Sequence, residues 1–221
     1  MLRPVEYNPP THRGLEILFK DDFIIALNKP SGLLSVPGRG IDKQDCMISR
    51  LLLEYPQALV IHRLDMATSG ILLFALNKEV QKQIGLLFEH RKITKQYIAK
   101  VHGKLREISG VINQPLMTDW NNRPKQKIDY KQGKPSQTRF KLIKVDENNN
   151  SLVHLSPLTG RSHQLRVHMS SLGHAILGDD LYGTAQSRNA SKRLLLHAQK
   201  ISFIHPVTNT NLEINSDAQF I

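Results

Sequence analysis

Residues 71–76, ILLFAL, are apolar without interruption. A run of this length that lacks polar alternation reads as a strand buried on both faces. The chain enters it through HRLDMATSG at 62–70, three polar or charged residues followed by a stretch that ends in Ala67, Thr68, Ser69 and Gly70. One carboxylate, Asp65, therefore stands at the mouth of an apolar strand. Arg63 lies two residues before it, on the same side if that piece is extended.

The remaining pattern is mixed. LEILFKDDFIIALNKPSG predicts two short strands around an Asp-Asp turn, then a Pro-Ser-Gly loop. Met47, Ile48, Leu51 and Leu52 recur at helical spacing over 45–54, where Cys46 reads as a small core residue. Val80, Ile84, Leu87 and Phe88 do the same over 78–91, with Asn77 as N-cap. Strands are expected at 95–101, 137–145 and 151–156, the last two joined by the turn DENNN. TGRSHQLRVHMSSLG predicts a loop entering a helix capped by Ser162 and stopped at Gly173. RLLLHAQKISFIHP and TNLEIN close the chain as strands. No Gly-, Pro- or Ser-rich linker divides it, so the expectation is one α+β domain on a largely antiparallel sheet.

Charge narrows the partners. Thirty Lys and Arg against nineteen Asp and Glu leave a formal +11 over 221 residues. Such an excess suits a polyanion, although a merely solvated basic surface is the competing reading. The cations concentrate in WNNRPKQKIDYKQGK at 120–134, a predicted loop or ragged strand carrying Arg123, Lys125 and Lys127 beside Trp120 and Tyr130. Such a segment can track phosphates and offer stacking faces. A second basic cluster is EHRKITKQY at 89–97.

Several chemistries find no support. His163 and His168 miss the i, i+4 spacing of a zinc helix, and the single cysteine, Cys46, excludes an internal disulfide or thiolate-rich metal site. KPSG at 29–32 is too short for a phosphate loop, TSG after Asp65 lacks the second motif of an aspartic protease, and no Gly-x-Ser-x-Gly elbow occurs. No apolar run approaches the roughly 20 residues that span a bilayer, and MLRPVEYNPPTHR lacks the apolar core of a secretory signal. A soluble, cytoplasmic chain is the expectation. What remains is Asp65 with arginines around it: Arg63 nearby, and Arg161 and Arg166 in GRSHQLRVH. An arginine beside a carboxylate favours its charged form, which suits a nucleophile. An ordinary Arg–Asp bridge between two segments is an equally available reading.

HRLDMATSGILLFAL, KQYIAKVHG, GRSHQLRVHM, GHAILGDDLYG and RLLLHA resemble, in order and spacing, the signatures of the RluA family of pseudouridine synthases. The resemblance runs from NKPSGLLSVPG to His205–Pro206, nearly the whole chain. YPQALVIHRLDMATSG, DWNNRPKQKIDY and GKPSQT are similar to the family's dual-specificity member, which acts on 23S ribosomal RNA and transfer RNA. Two departures are Ala175, where the family usually has Pro, and His102, where a larger aromatic or a small residue is common.

The resemblance implies the family's catalytic domain, a largely antiparallel mixed sheet with flanking helices around a central cleft. It implies an isomerase that breaks the C1′–N1 bond of uridine and rejoins C1′ to C5, with no cofactor and no metal. Asp65 becomes the essential carboxylate, acting on base, ribose or the glycosidic bond. Arg166 pairs with it, Tyr97 stacks on the base and takes the C5 proton, and Arg63 holds the displaced nucleotide out of its helix. His62, Arg123, Lys125, Lys127, Arg161 and His163 are candidate RNA contacts. The small residues after Asp65 would let the base approach the backbone closely. Many relatives carry an N-terminal S4-type RNA-binding domain; here residues 1–14 are expected to be a short extension and 15–221 a bare catalytic domain, a monomer. A non-catalytic RNA-binding or ribosome-assembly protein, and a hydrolase using Asp65, are the rival readings.

Overall fold

The computed structural model describes residues 7–221. Residues 1–6 of the expected N-terminal extension lie outside the described residues. Strands β1 (Ile17–Lys20) and β2 (Ile24–Lys29) form the expected hairpin. Its turn is fixed by Asp21, whose carboxylate accepts the N–H groups of Phe23 at 2.8 Å and Ile24 at 2.7 Å. Helix α1 (Met47–Leu52) follows, with Cys46 buried at its N-cap rather than on it. Strand β3 (Leu59–Val60) precedes β4 (Ser69–Ala75), every residue of which is buried. Helix α2 (Lys78–Glu89) starts as expected, the Asn77 side chain accepting from the Val80 N–H at 2.9 Å.

Strands β5 (Thr94–Val101) and β6 (Ser109–Asn113) come next. The chain then folds back on itself as β7 (Leu116–Thr118) and β8 (Gln126–Ile128), a two-stranded antiparallel arm that carries part of the basic segment and is separate from the main sheet. Strands β9 (Gln137–Val145) and β10 (Ser151–Pro157) join through 146–150, where the Asp146 carboxylate accepts from Asn148 and Asn150. Helices α3 (Gln164–Ser171) and α4 (Ala185–Asn189) and strands β11 (Leu196–Ile204) and β12 (Asn211–Asn215) complete the chain.

The main sheet has the order β1-β2-β4-β11-β5-β10-β9-β6, with β3 also on β4 and β12 also on β11. Every pairing is antiparallel except β4 with β11. Alternation along β2 and β4 explains why ILLFAL has no polar face. Ile25, Leu27, Leu72 and Phe74 pack with Met47 and Leu51 of α1, while Ile24, Ala26, Ile71 and Leu73 pack with Val80 and Ile84 of α2. A second half-core joins Ala99, Val153 and Leu155 to Leu165 and Met169 of α3. Tyr97 packs against the α1 half-core and the α3 half-core alike, at the seam between them.

Gly70 has a packing reason of its own. Its φ is +107°, and a Cβ there would run into the carbonyl of Ala198 and come 2.6 Å from its nitrogen. The glycine is required by the close parallel approach of β11.

Candidate active site

The loop that carries Asp65 is held from behind by the segment Lys29–Ser35. Lys29 is fully buried and donates from Nζ to the carbonyls of Pro30 at 2.8 Å, Leu33 at 2.6 Å and Met66 at 3.0 Å. Those three bonds use all three ammonium donors. Burial pushes the ammonium down to about 7, against the pull of the nearby Asp65 charge. Ser31 Oγ donates to the Ala67 carbonyl at 2.7 Å. Ser35 Oγ donates to the Leu64 carbonyl at 2.8 Å and accepts the Leu64 N–H at 3.0 Å. The loop is clamped on both sides of its carboxylate. Of the small residues that follow Asp65, Thr68 lines the cleft, whereas Ala67 and Ser69, together with Met66, border a separate groove of about 830 Å³. Ser69 accepts from Arg193 Nη2 at 2.7 Å, so it too has a packing role.

Arg166 approaches from α3. Its Nη1 is 4.0 Å from Asp65 Oδ2, at the outer limit of an ion pair. Its close partner is Asp179, with Nε to Oδ2 at 2.8 Å and Nη2 to Oδ1 at 2.7 Å, and Asp180 accepts from the same Nη2 at 2.9 Å. Burial works against the guanidinium charge, but the hydrogen bonds to Asp179 and the charges of Asp179, Asp65 and Asp180 outweigh it and raise its pKa. The expected Arg166–Asp65 pair is thus a facing charge rather than a hydrogen bond.

The N-terminus of α3 is built differently from the expected Ser162 cap. His163 holds the N-cap position with φ +54°, a left-handed conformation uncommon outside glycine, and makes no side-chain cap. Gln164 orders the turn instead: its Oε1 accepts the Arg161 N–H at 3.0 Å and the Thr159 hydroxyl at 2.7 Å. Gly173 ends the helix at φ +82°, as expected. The strained turn places His163 Nε2 at 3.9 Å from Asp65 Oδ1.

These groups line a cleft of about 320 Å³ whose wall includes Arg63, Asp65, Lys95, Tyr97, Arg161 and Arg166. Burial, then the Asp65 charge, raises the Tyr97 phenol, so at neutral pH its hydroxyl carries its proton. A phenol raised in this way is a poorer acid, and it can accept a proton only at a lone pair while handing on its own. Lys95 stands two residues earlier on the same strand face, its pKa lowered by burial. Among the described residues no carboxylate lies within 4.0 Å of it. His62 accepts the Leu73 N–H on Nε2 at 3.0 Å and lies against Phe88, ring centroids 5.0 Å apart. Burial and the Lys95 charge push it down to about 3, so it borders the cleft as a neutral ring. Arg123 stacks over Trp120 at 3.7 Å, and Lys127 lies 4.0 Å from Asp129; with Lys125 they sit on the arm, outside the cleft lining.

A family model for RNA pseudouridylate synthase matches residues 23–171. The chain belongs to that family. It is 46% identical over 214 residues to the dual-specificity RNA pseudouridine synthase RluA of Escherichia coli (strain K12), covering 97% of this chain and 98% of that protein. It is 50% identical over 206 residues to the protein of the same name from Vibrio parahaemolyticus serotype O3:K6 (strain RIMD 2210633), covering 91% and 82%. Among solved structures, the human RNA pseudouridylate synthase domain containing 1 superposes with TM-score 0.80 at 30% identity, over 97% of this chain and 87% of that one.

For this synthase, sequence reasoning missed Asp179, Tyr182, Lys29 and Lys95. GDDLYG and NKPSG were visible as motifs, but nothing local shows that Asp179 reaches Arg166 or that Lys29 reaches the Met66 carbonyl. The two departures from the family pattern meet each other: the His102 N–H donates to the Ala175 carbonyl at 2.9 Å, away from the cleft lining.

Proposed function

We propose that this chain isomerises uridine to pseudouridine in structured RNA with Asp65 as the essential carboxylate, and that its substrates are a 23S ribosomal RNA hairpin and transfer RNA anticodon stem-loops. The observation that carries the reading is the convergence on one cleft of Asp65, Tyr97 and Arg166, which come from three distant segments. Asp65 acts on base, ribose or the glycosidic bond; the facing Arg166 charge keeps its carboxylate aimed. Tyr97 stacks on the uracil and relays the C5 proton. Arg63 fills the gap left by the extruded nucleotide, and the arm's Arg123, Lys125 and Lys127 meet phosphates outside the cleft, with Arg161 at its rim. The names of the curated relatives support the dual specificity, and the +11 charge supports an RNA partner. The catalytic unit is residues 15–221, working as a cytoplasmic monomer.

The test is to incubate purified protein with uridine-containing stem-loops, without added cofactor, and to measure pseudouridine. Wild type should convert both an anticodon stem-loop and a ribosomal hairpin. Asp65→Asn should bind RNA and convert neither. Binding without conversion by wild type would make the chain an RNA-binding protein only. Residual Asp65→Asn turnover within about tenfold of wild type, a barrier change near 1.4 kcal/mol, would remove Asp65 from its role.

A further inference from the structure

Tyr182 touches three elements of the site at once. Its hydroxyl accepts the backbone N–H of Gln126, on arm strand β8, at 2.7 Å. The same oxygen lies 2.7 Å from Nδ1 of His163. The two rings meet edge to face, centroids 5.6 Å apart, and the Arg166 guanidinium lies 5.3 Å from the Tyr182 ring. A phenol oxygen that already accepts from a backbone amide has one proton to give, and Nδ1 is placed to take it. Burial pushes this phenol up to about 12, so the proton is present throughout the neutral range. Burial lowers the His163 pKa, which favours a neutral ring. A neutral imidazole that accepts on Nδ1 carries its hydrogen on Nε2, the nitrogen 3.9 Å from Asp65 Oδ1. His163 adopts its left-handed backbone at this point, and local strain held by surrounding structure is typical of functional positions.

We infer that Tyr182 is a positioning residue: its hydroxyl, seated by the arm, holds His163 in the Nε2–H form with that N–H turned toward Asp65. His163 then serves the reacting carboxylate rather than the RNA backbone. The gap of 3.9 Å exceeds a hydrogen bond, so in the free protein the N–H faces the carboxylate without bonding it. The same contact ties the basic arm to the catalytic carboxylate, so an arm correctly engaged on RNA is also one that presents Gln126 to Tyr182. This inference rests on the uridine-isomerising role proposed for Asp65.

Two measurements test it. In the free, full-length protein, ¹⁵N NMR of the His163 ring near pH 7 should show a neutral imidazole protonated at Nε2. An Nδ1–H tautomer or a charged ring overturns the inference, and no variant is needed. Single-turnover rates and RNA affinities are then compared for wild type, Tyr182→Phe, His163→Asn and the double variant on one stem-loop. Asparagine tolerates the left-handed backbone, so His163→Asn spares the fold while removing Nε2–H. Each single change should slow conversion about tenfold with affinity within about twofold, and the double variant should be no slower than His163→Asn. Losses that multiply, or a Tyr182→Phe rate equal to wild type, overturn it. A wild type that makes no pseudouridine overturns the catalytic reading itself, which is a distinguishable failure.

Discussion

The Arg166 guanidinium is clamped by Asp179 through two hydrogen bonds of 2.8 and 2.7 Å, leaving Nη1 free to face Asp65 at 4.0 Å. Asp179 is fully buried, and its Oδ1 also accepts the N–H groups of Leu181 and Tyr182 at 3.0 Å. A side chain held by a two-point fork cannot swing, so Asp179 sets the direction from which the positive charge meets the carboxylate. Asp179→Ala leaves the buried cation without its main partner, which costs about 3–5 kcal/mol. Urea unfolding should show that loss. The folded fraction should form pseudouridine more slowly than wild type, and full activity per folded molecule would mean that Arg166 keeps its aim without the fork.

Lys29→Met replaces the buried ammonium with a side chain of similar length and leaves the carbonyls of Pro30 and Leu33 without their donor, while that of Met66 keeps only the Gly32 N–H at 2.9 Å. Each buried acceptor left unpaired costs about 1–3 kcal/mol, so a substantial fall in the denaturant midpoint is expected. Because Met66 adjoins Asp65, turnover should fall as well. An unchanged midpoint would show that Ser31, Gly32 and Ser35 hold the loop without Lys29.

Tyr97 separates two roles by two substitutions. Tyr97→Phe keeps the ring and should slow single turnover strongly while barely changing RNA affinity. Tyr97→Ala should in addition lose about 1–3 kcal/mol of binding if a flipped base stacks there. A Phe variant as fast as wild type would leave the hydroxyl with no part in proton transfer.

Arg123, Lys125 and Lys127 on the arm should each contribute to the salt dependence of RNA binding. Neutralising one that meets a phosphate should reduce the log–log slope by about 0.7–0.9. Titrations at several salt concentrations measure it directly. An unchanged slope for all three would mark the arm as solvated.

Acid should destabilise the protein from the ordinary histidine range downward. Burial pushes His197 down to about 4 and His62 to about 3, so the folded chain refuses protons that the unfolded chain takes below about pH 6.5. Unfolding free energy should therefore fall as pH drops through the window from 6.5 to about 4, where His197 begins to protonate in the folded state. The maximal slope is about 1.4 kcal/mol per pH unit for each such group. Urea midpoints at pH 7.5, 6 and 5 measure the slope for wild type, and His197→Gln should reduce it. A stability that is flat over this window in wild type would contradict the burial of these rings.

The legible parts of the fold were those whose determinants are local. Asn77 caps α2 and Asp21 closes the first hairpin because each side chain reaches an amide two or three residues on. Ser162 was misread because an N-cap preference competes with a side chain two residues later: Gln164 satisfies the turn and leaves His163 at the cap. The arm's cations were visible as charge, but β7 and β8 are only three residues each, too short for periodicity to declare. Asp65, Tyr97 and Arg166 were legible through family resemblance. Their supporting partners were not, since Lys29, Asp179 and Tyr182 act through contacts that only the folded chain creates.

The position of β11 has a consequence for synthesis. It follows β4 and β5 in the chain with β6 to β10 intervening, yet it lies between them, in parallel register with Ser69 and Gly70. Until residues 196–204 emerge from the ribosome, β4 presents an open edge at the end nearest Asp65, and β5 lacks the neighbour that aligns Tyr97 with Ala198. Contacts this distant along the chain close slowly, and unpaired apolar strands invite aggregation while they wait. A nascent chain stalled before Leu196 should therefore be protease-sensitive and catalytically silent, with competence arriving abruptly once β11 has emerged.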